Sequence, residues 1–79
     1  MIETPGNRLH AFMKMNNMTQ EDLSRDLGLS RGHISHLCTD SHKIRKITAL
    51  ALLGLYNLNP NWLLYGRGVP KLKKLSYTA

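Results

Sequence analysis

The residues best able to do chemistry lie between Gln20 and Lys46, and the densest set runs from Arg31 to Thr39. If Ile34 and Leu37 face inward on a helix, a step of about 100° per residue turns Gly32, Ser35, His36 and Thr39 outward. Arg31 then sits at the edge of that face, while His33 and Cys38 flank the core. A guanidinium can span O6 and N7 of a guanine with two parallel donors, and an imidazole can donate to a guanine or a phosphate. Arg31 and His36 are therefore the leading candidates to read base edges, with Gly32, Ser35 and Thr39 beside them. A second set, Lys43, Arg45 and Lys46, places three cations beside the start of an expected helix, where they oppose its dipole. An adjacent phosphate would remove that conflict.

Other chemistries find less support. His33, His36, Cys38 and His42 are metal-ligand types, but the helical wheel divides them between core edge and outer face, and no second cysteine closes a site. No metal or other cofactor is expected. Neither a phosphate loop, nor paired acids in a plausible cleft, nor a nucleophile beside a base is present, so the chain does not read as an enzyme. Met13, Met15 and Met18 read as gap fillers near the end of the first helix.

Holding Arg31 and His36 outward requires short helices with well-defined ends. Thr4-Pro5 is a cap followed by proline at the first helical position, and Leu9, Phe12 and Met13 recur at helical spacing up to a stop near Asn16-Asn17. Thr19 to Asp22 forms a cap with an acid three residues on, and Met18 and Leu23 are placed as a hydrophobic staple. This second helix buries Leu23 and Leu27 and ends at Gly28; Ser30 then caps the third. A fourth helix, about Arg45 to Tyr56, is apolar on nearly every side and reads as the buried centre of the domain. Asn57 stops it, and Asn59-Pro60 opens a fifth whose Trp62 and Leu63 close the core before Gly66. The basic tail, 69–79, reads as an arm or an added strand beyond a domain at 1–68.

Between Gln20 and Thr39 the order Leu23, Ser24, Leu27, Gly28, Leu29, Ile34, Leu37 meets every demand of two short helices crossing steeply: a small residue at the contact, glycine at the turn, apolar inner faces. This arrangement resembles the lambda-repressor and Cro-like, or XRE-type, helix-turn-helix regulators. The likeness extends from Arg8-Leu9 through Thr19-Gln20-Glu21, Leu29-Ser30-Arg31 and Ile34-Ser35 to the run Asn59 to Gly66, roughly four-fifths of the chain.

The resemblance implies an all-α, five-helix domain whose third helix lies in the major groove of double-stranded DNA. It also implies that Gln20 and Ser30, at the positive ends of helices two and three, grip phosphates. A homodimer repressing transcription at a palindromic operator, in the cytoplasm of a prokaryotic or phage-infected cell, follows from the same likeness. Three positions depart from the family pattern. Gly32 has no side chain where members often contact a base, costs about 1 kcal/mol in a helix, and permits close approach. Asp40 replaces a frequent glycine, tolerating the left-handed region but adding an acid near the expected phosphates. Ser24 stands for the usual alanine, benign where its hydroxyl bonds within the helix.

Composition agrees. The 79-residue chain has a net charge of +6; the stretch through Leu27 carries −1 and the stretch from Gly28 carries +7. One-sided positive charge suits a polyanion. With 42% hydrophobic residues and one cysteine, the chain is neither disordered nor a disulfide scaffold and fits a reducing compartment. No apolar run reaches the roughly 20 residues needed to span a membrane, and Met1 to Gly6 opens no signal peptide. No small-molecule ligand is expected. An antitoxin or adaptor that uses this fold to hold a protein is the main rival, for which helix four and Leu72, Leu75 and Tyr77 would supply surface. A two-fold contact through Leu64, Tyr65, Leu72 and Leu75 is the preferred use of that apolar surplus. RNA recognition lacks aromatic platforms, because Phe12 and Trp62 are assigned inward.

Overall fold

A computed structural model of the chain describes residues 3–72. Its helices are α1 (Pro5–Met15), α2 (Gln20–Leu27), α3 (Arg31–Cys38), α4 (Lys46–Tyr56) and α5 (Pro60–Tyr65). Four of the five begin at side-chain caps. The hydroxyl of Thr4 accepts from the Asn7 amide at 3.1 Å, Ser30 from His33 at 3.1 Å, and the Asn59 carbonyl oxygen from Asn61 at 3.1 Å. At α2 the box is reciprocal: Thr19 Oγ1 accepts from the Asp22 amide, and the Asp22 carboxylate accepts from the Thr19 amide at 2.9 Å. Each such cap satisfies an otherwise orphaned donor and contributes about 1 kcal/mol. Only α4 starts without one, its first residue preceded by Arg45. Gly28 adopts φ 71°, a left-handed stop that lets the chain turn at once into α3.

Packing follows from these ends. α1 rests on α3 and α5, α2 on α3, and α4 on α5. The core comprises Leu9, Phe12 and Met13 of α1, Leu23 of α2, Ile34, Leu37 and Cys38 of α3, Ile44, Ala49 and Leu52 around α4, and Leu58, Trp62 and Leu63 around α5. Where α1 meets the end of α3, a Cβ on Gly6 would lie 2.5 Å from the Leu37 carbonyl oxygen, so only glycine permits the approach.

Several expectations are corrected here. α4 is not the buried centre: it buries only Ala49 and Leu52, while Ile47 is 73% exposed and Leu50 and Leu55 about half exposed. In so small a domain α5 covers one side of α4, and among the described residues no further helix packs on the other. Met15 is exposed rather than a gap filler, and Cys38 is buried within the core rather than at its edge. The Ser24 hydroxyl donates to the Leu29 carbonyl across the turn instead of bonding within α2. At the start of the tail, Leu58 and Lys71 form an antiparallel bridge: the Asn59 amide donates to Pro70 and the Leu72 amide to Asn57, each at 2.9 Å. Asn59 Nδ2 also donates to the Val69 carbonyl at 3.0 Å. Lys73, Lys74, Leu75 and Tyr77 lie outside the described residues.

Candidate nucleic-acid interface

The N-terminus of α2 and the outer face of α3 enclose an open concavity of about 440 Å³, lined by Thr19, Gln20, Glu21, Arg31, Gly32 and Ser35. All six are polar or glycine, in a domain that leaves apolar side chains exposed elsewhere. The structure thus brings together four sequence-named residues, Gln20, Arg31, Gly32 and Ser35, that come from two helices. Arg31, Gly32, His36 and Thr39 are exposed, and Gln20 and Ser35 are half-buried.

Glu21 was not singled out by sequence reasoning. Its Oε1 lies 3.7 Å from Arg31 Nη1, with both side chains about 70% exposed. An ion pair this wet contributes at most about 1 kcal/mol, so it leaves Arg31 available to a stronger acceptor. Its signal was faint, since an acid in the first turn of a helix is already explained by the dipole.

Thr39 and Ser30 are partly committed. The Thr39 hydroxyl donates back to the Ser35 carbonyl at 3.1 Å, and the Ser30 oxygen caps α3. Asp40 adopts the left-handed conformation its sequence reading allowed, at φ 63°, but its carboxylate is engaged within the protein, accepting from the Gly6 amide at 2.8 Å and from the Thr4 hydroxyl. The acid serves the start of α1, where the helix dipole favours it. Helix caps reaching across more than thirty residues leave no local pattern by which sequence could find them.

The three cations separate. Lys43 and Arg45 line a cleft of about 500 Å³ with His33, Leu37, His42 and Thr48. Lys46 lines another, of about 620 Å³, with Thr4, Pro5, Asp40, Ile44, Leu64 and Tyr65, and Lys43 and His42 border both. No N-cap side chain accepts from the first amides of α4. Among the residues expected at a dimer contact Tyr65 is exposed, Leu72 marginally so, and Leu64 is half-buried against the core.

Among the described residues no group of three or more histidines, cysteines or acids is placed to hold a metal ion. Cys38 instead points into the core, its Sγ 3.8 Å from Met13 Sδ, and burial, followed by the Asp40 charge, pushes its thiol above the ordinary range. The Tyr56 hydroxyl donates to Asp26 and ties α4 to α2. Desolvation, then that hydrogen bond, hold the phenol protonated well beyond its usual range.

Two short packed helices joined by a tight glycine turn, with a concavity on the outer face of the second, are the arrangement of a DNA-binding helix-turn-helix. The helix-turn-helix family model matches residues 9–63, and the chain belongs to this family of lambda-repressor and Cro-like, XRE-type proteins. It is a DNA-binding regulatory family. Comparison with curated proteins and with solved structures gives no significant match. Among the described residues no helix is long and apolar enough to cross a membrane.

Proposed function

We propose that this chain is a sequence-specific transcriptional repressor that binds a palindromic operator as a homodimer, with α3 in the major groove. The observation that carries the reading is the concavity, lined by polar side chains and glycine, that joins Gln20 to Arg31, Gly32 and Ser35. In this arrangement Arg31 reads a guanine, Gly32 permits close approach, and Ser35, His36 and Thr39 complete the base-facing surface. Gln20, Ser30, Lys43, Arg45 and Lys46 hold phosphates and set the register. Tyr65, with Leu64, Leu72 and Leu75, supplies the two-fold contact. The cytoplasm is the compartment that suits an operator-binding protein with a free thiol.

The test separates reading from gripping. On a duplex selected from a random pool, Arg31→Ala should cost about 1–3 kcal/mol and relax preference at one base pair per half-site, with little effect on random DNA. Lys43→Ala should weaken selected and random duplexes by similar factors and lower the salt slope by about 1 per subunit. Full discrimination by folded Arg31→Ala, with loss of it in Lys43→Ala, would overturn the assignment of α3. The outward apolar side of α4, with Ile47, Leu50 and Leu55 exposed, favours one second reading, a module that holds a protein. A salt-independent, negligible affinity for duplex DNA would select that reading.

A further inference from the structure

We propose that His33 and His42 are ligands for a DNA backbone phosphate in their protonated form, so that the domain's hold on DNA tightens as pH falls. The proposal rests on the DNA-binding reading and adds to it a second wall of the interface and its regulation.

Position comes first. An α-helix with its side chains is about 10–12 Å across and the major groove about 12 Å wide, so residues flanking the reading face of α3 meet the groove walls, which are phosphates. Arg31 flanks that face on the α2 side, where it lines the concavity. His33 stands on the opposite flank and is not part of the concavity; it faces the α3–α4 loop and the start of α4. There it shares a cleft of about 500 Å³ with His42, Lys43, Arg45, Thr48 and Leu37. Every ionisable group lining this cleft is basic, and Thr48 adds a hydroxyl donor. A tetrahedral oxyanion is the ligand such a lining suits.

The rings themselves supply the pH dependence. His42 packs between two others, its centroid 5.4 Å from that of His33 and 4.9 Å from that of His36. Protonating any one ring in the free protein sets a positive charge against its neighbours and against Lys43 and Arg45. Across the loop, the neighbouring cleft adds Lys46, Tyr65 and Asp40 around His42, while Thr4 and Pro5 of α1 add no charge. Asp40 is the one acid there, and its carboxylate is engaged by the Gly6 amide and the Thr4 hydroxyl. A phosphate entering the cleft reverses the balance, because each proton bound then faces an anion as well. Binding DNA and binding protons therefore favour each other, and by linkage each strengthens the other equally.

The experiment is a fluorescence-anisotropy titration of the full chain with a random-sequence duplex at fixed ionic strength, repeated from low to high salt at about pH 8 and about pH 6. Wild type should bind roughly tenfold tighter at the lower pH, which crosses the ordinary imidazole range near 6.5. The salt slope should steepen by about 0.9 for each further phosphate neutralised. His33→Gln/His42→Gln should lose most of the pH response, the remainder coming from His36 on the base-facing surface, whereas His10→Gln, changed on the exposed face of α1, should respond like wild type. A His42→Lys variant, with its charge independent of pH in this range, should show a diminished response and tighter binding at the higher pH. Circular dichroism on each variant checks the fold. A pH response as large as that of wild type in the folded double glutamine variant would overturn the proposal. A flat wild-type response with ordinary salt dependence would overturn it while leaving DNA binding intact, and failure to bind duplex at either pH would overturn both.

Discussion

Gly32 and Gly6 show how the same residue type answers to different constraints. A Cβ at Gly6 would collide with the Leu37 carbonyl, while a Cβ at Gly32 would meet nothing nearer than Ser30 Oγ at 4.0 Å. Nothing among the described residues requires glycine in α3, where it costs about 1 kcal/mol relative to alanine. Gly32→Ala should accordingly raise stability by about 0.5–1 kcal/mol in a urea titration and, with a methyl at the DNA-facing surface, reduce affinity for duplex. Raised stability with unaltered affinity would take Gly32 out of the contact surface. Asp22 offers a test by pH. The Thr19 amide first, then the Thr19 hydroxyl and Arg25, hold its carboxyl below the ordinary carboxylate range. A depressed folded value means stability that is present above the unfolded value and lost as pH falls through the folded one. Asp22→Ala should lower the thermal midpoint at neutral pH, and its difference from wild type should shrink as pH falls below the ordinary carboxylate range. A difference independent of pH would mean that the charge of Asp22 contributes nothing.

At the scale of elements, α1 organises the domain through its N-terminal half. Its N-terminus is held to the end of α3 by the Asp40 carboxylate, and Arg8, one turn in, reaches α5. Arg8 is 7% exposed, its Nε donating to the Leu63 carbonyl at 2.8 Å and its Nη2 to the Leu64 carbonyl at 3.2 Å. α5 has only six residues, and a cation on its last carbonyls complements its dipole. Arg8→Gln should therefore cost about 3 kcal/mol, since hydrogen bonds from a charged donor contribute about 1.5–3 kcal/mol and buried carbonyls are left unsatisfied. Chemical denaturation checks the value, and a loss below about 0.5 kcal/mol would show that α5 holds its place by Trp62 and Leu63 alone.

For the whole molecule, charge and exposed apolar surface are both unevenly distributed, and they meet where Lys43 and Lys46 share a cleft with Tyr65. The positive excess from Gly28 onward includes the α3–α4 loop, whose Lys43 and Arg45 share a cleft with His33 of α3. The apolar excess is Ile47, Leu50 and Leu55 on α4, with Tyr65 at the end of α5. A second copy covering part of that surface would carry a second α3, and a two-fold pair spaces its half-sites by one helical turn, about 34 Å. Sequences selected from a random duplex pool should then contain inverted half-sites at that spacing, and sedimentation should show a dimer at micromolar concentration or on DNA. A single half-site bound by a monomer would refute the two-fold reading.

What the sequence determined by itself was whatever depends on residues a turn apart. Thr4, Thr19, Ser30 and Asn59 cap helices because their oxygens reach amides two or three positions on, and Asn17, Gly28 and Asn57 stop them because these residues tolerate positive φ. The inward turn of Ile34 and Leu37, hence the outward turn of Gly32 and His36, follows from period alone. Tertiary structure decided the remainder. A helix apolar all round, such as α4, has no polar side to orient it, so only the limited supply of covering elements settles which side is buried. The partners of Arg8, Asp40 and Ser24, and the gathering of His33, His36 and His42, depend on how helices and turns pack in space. No periodicity within one helix records the distance between groups on two.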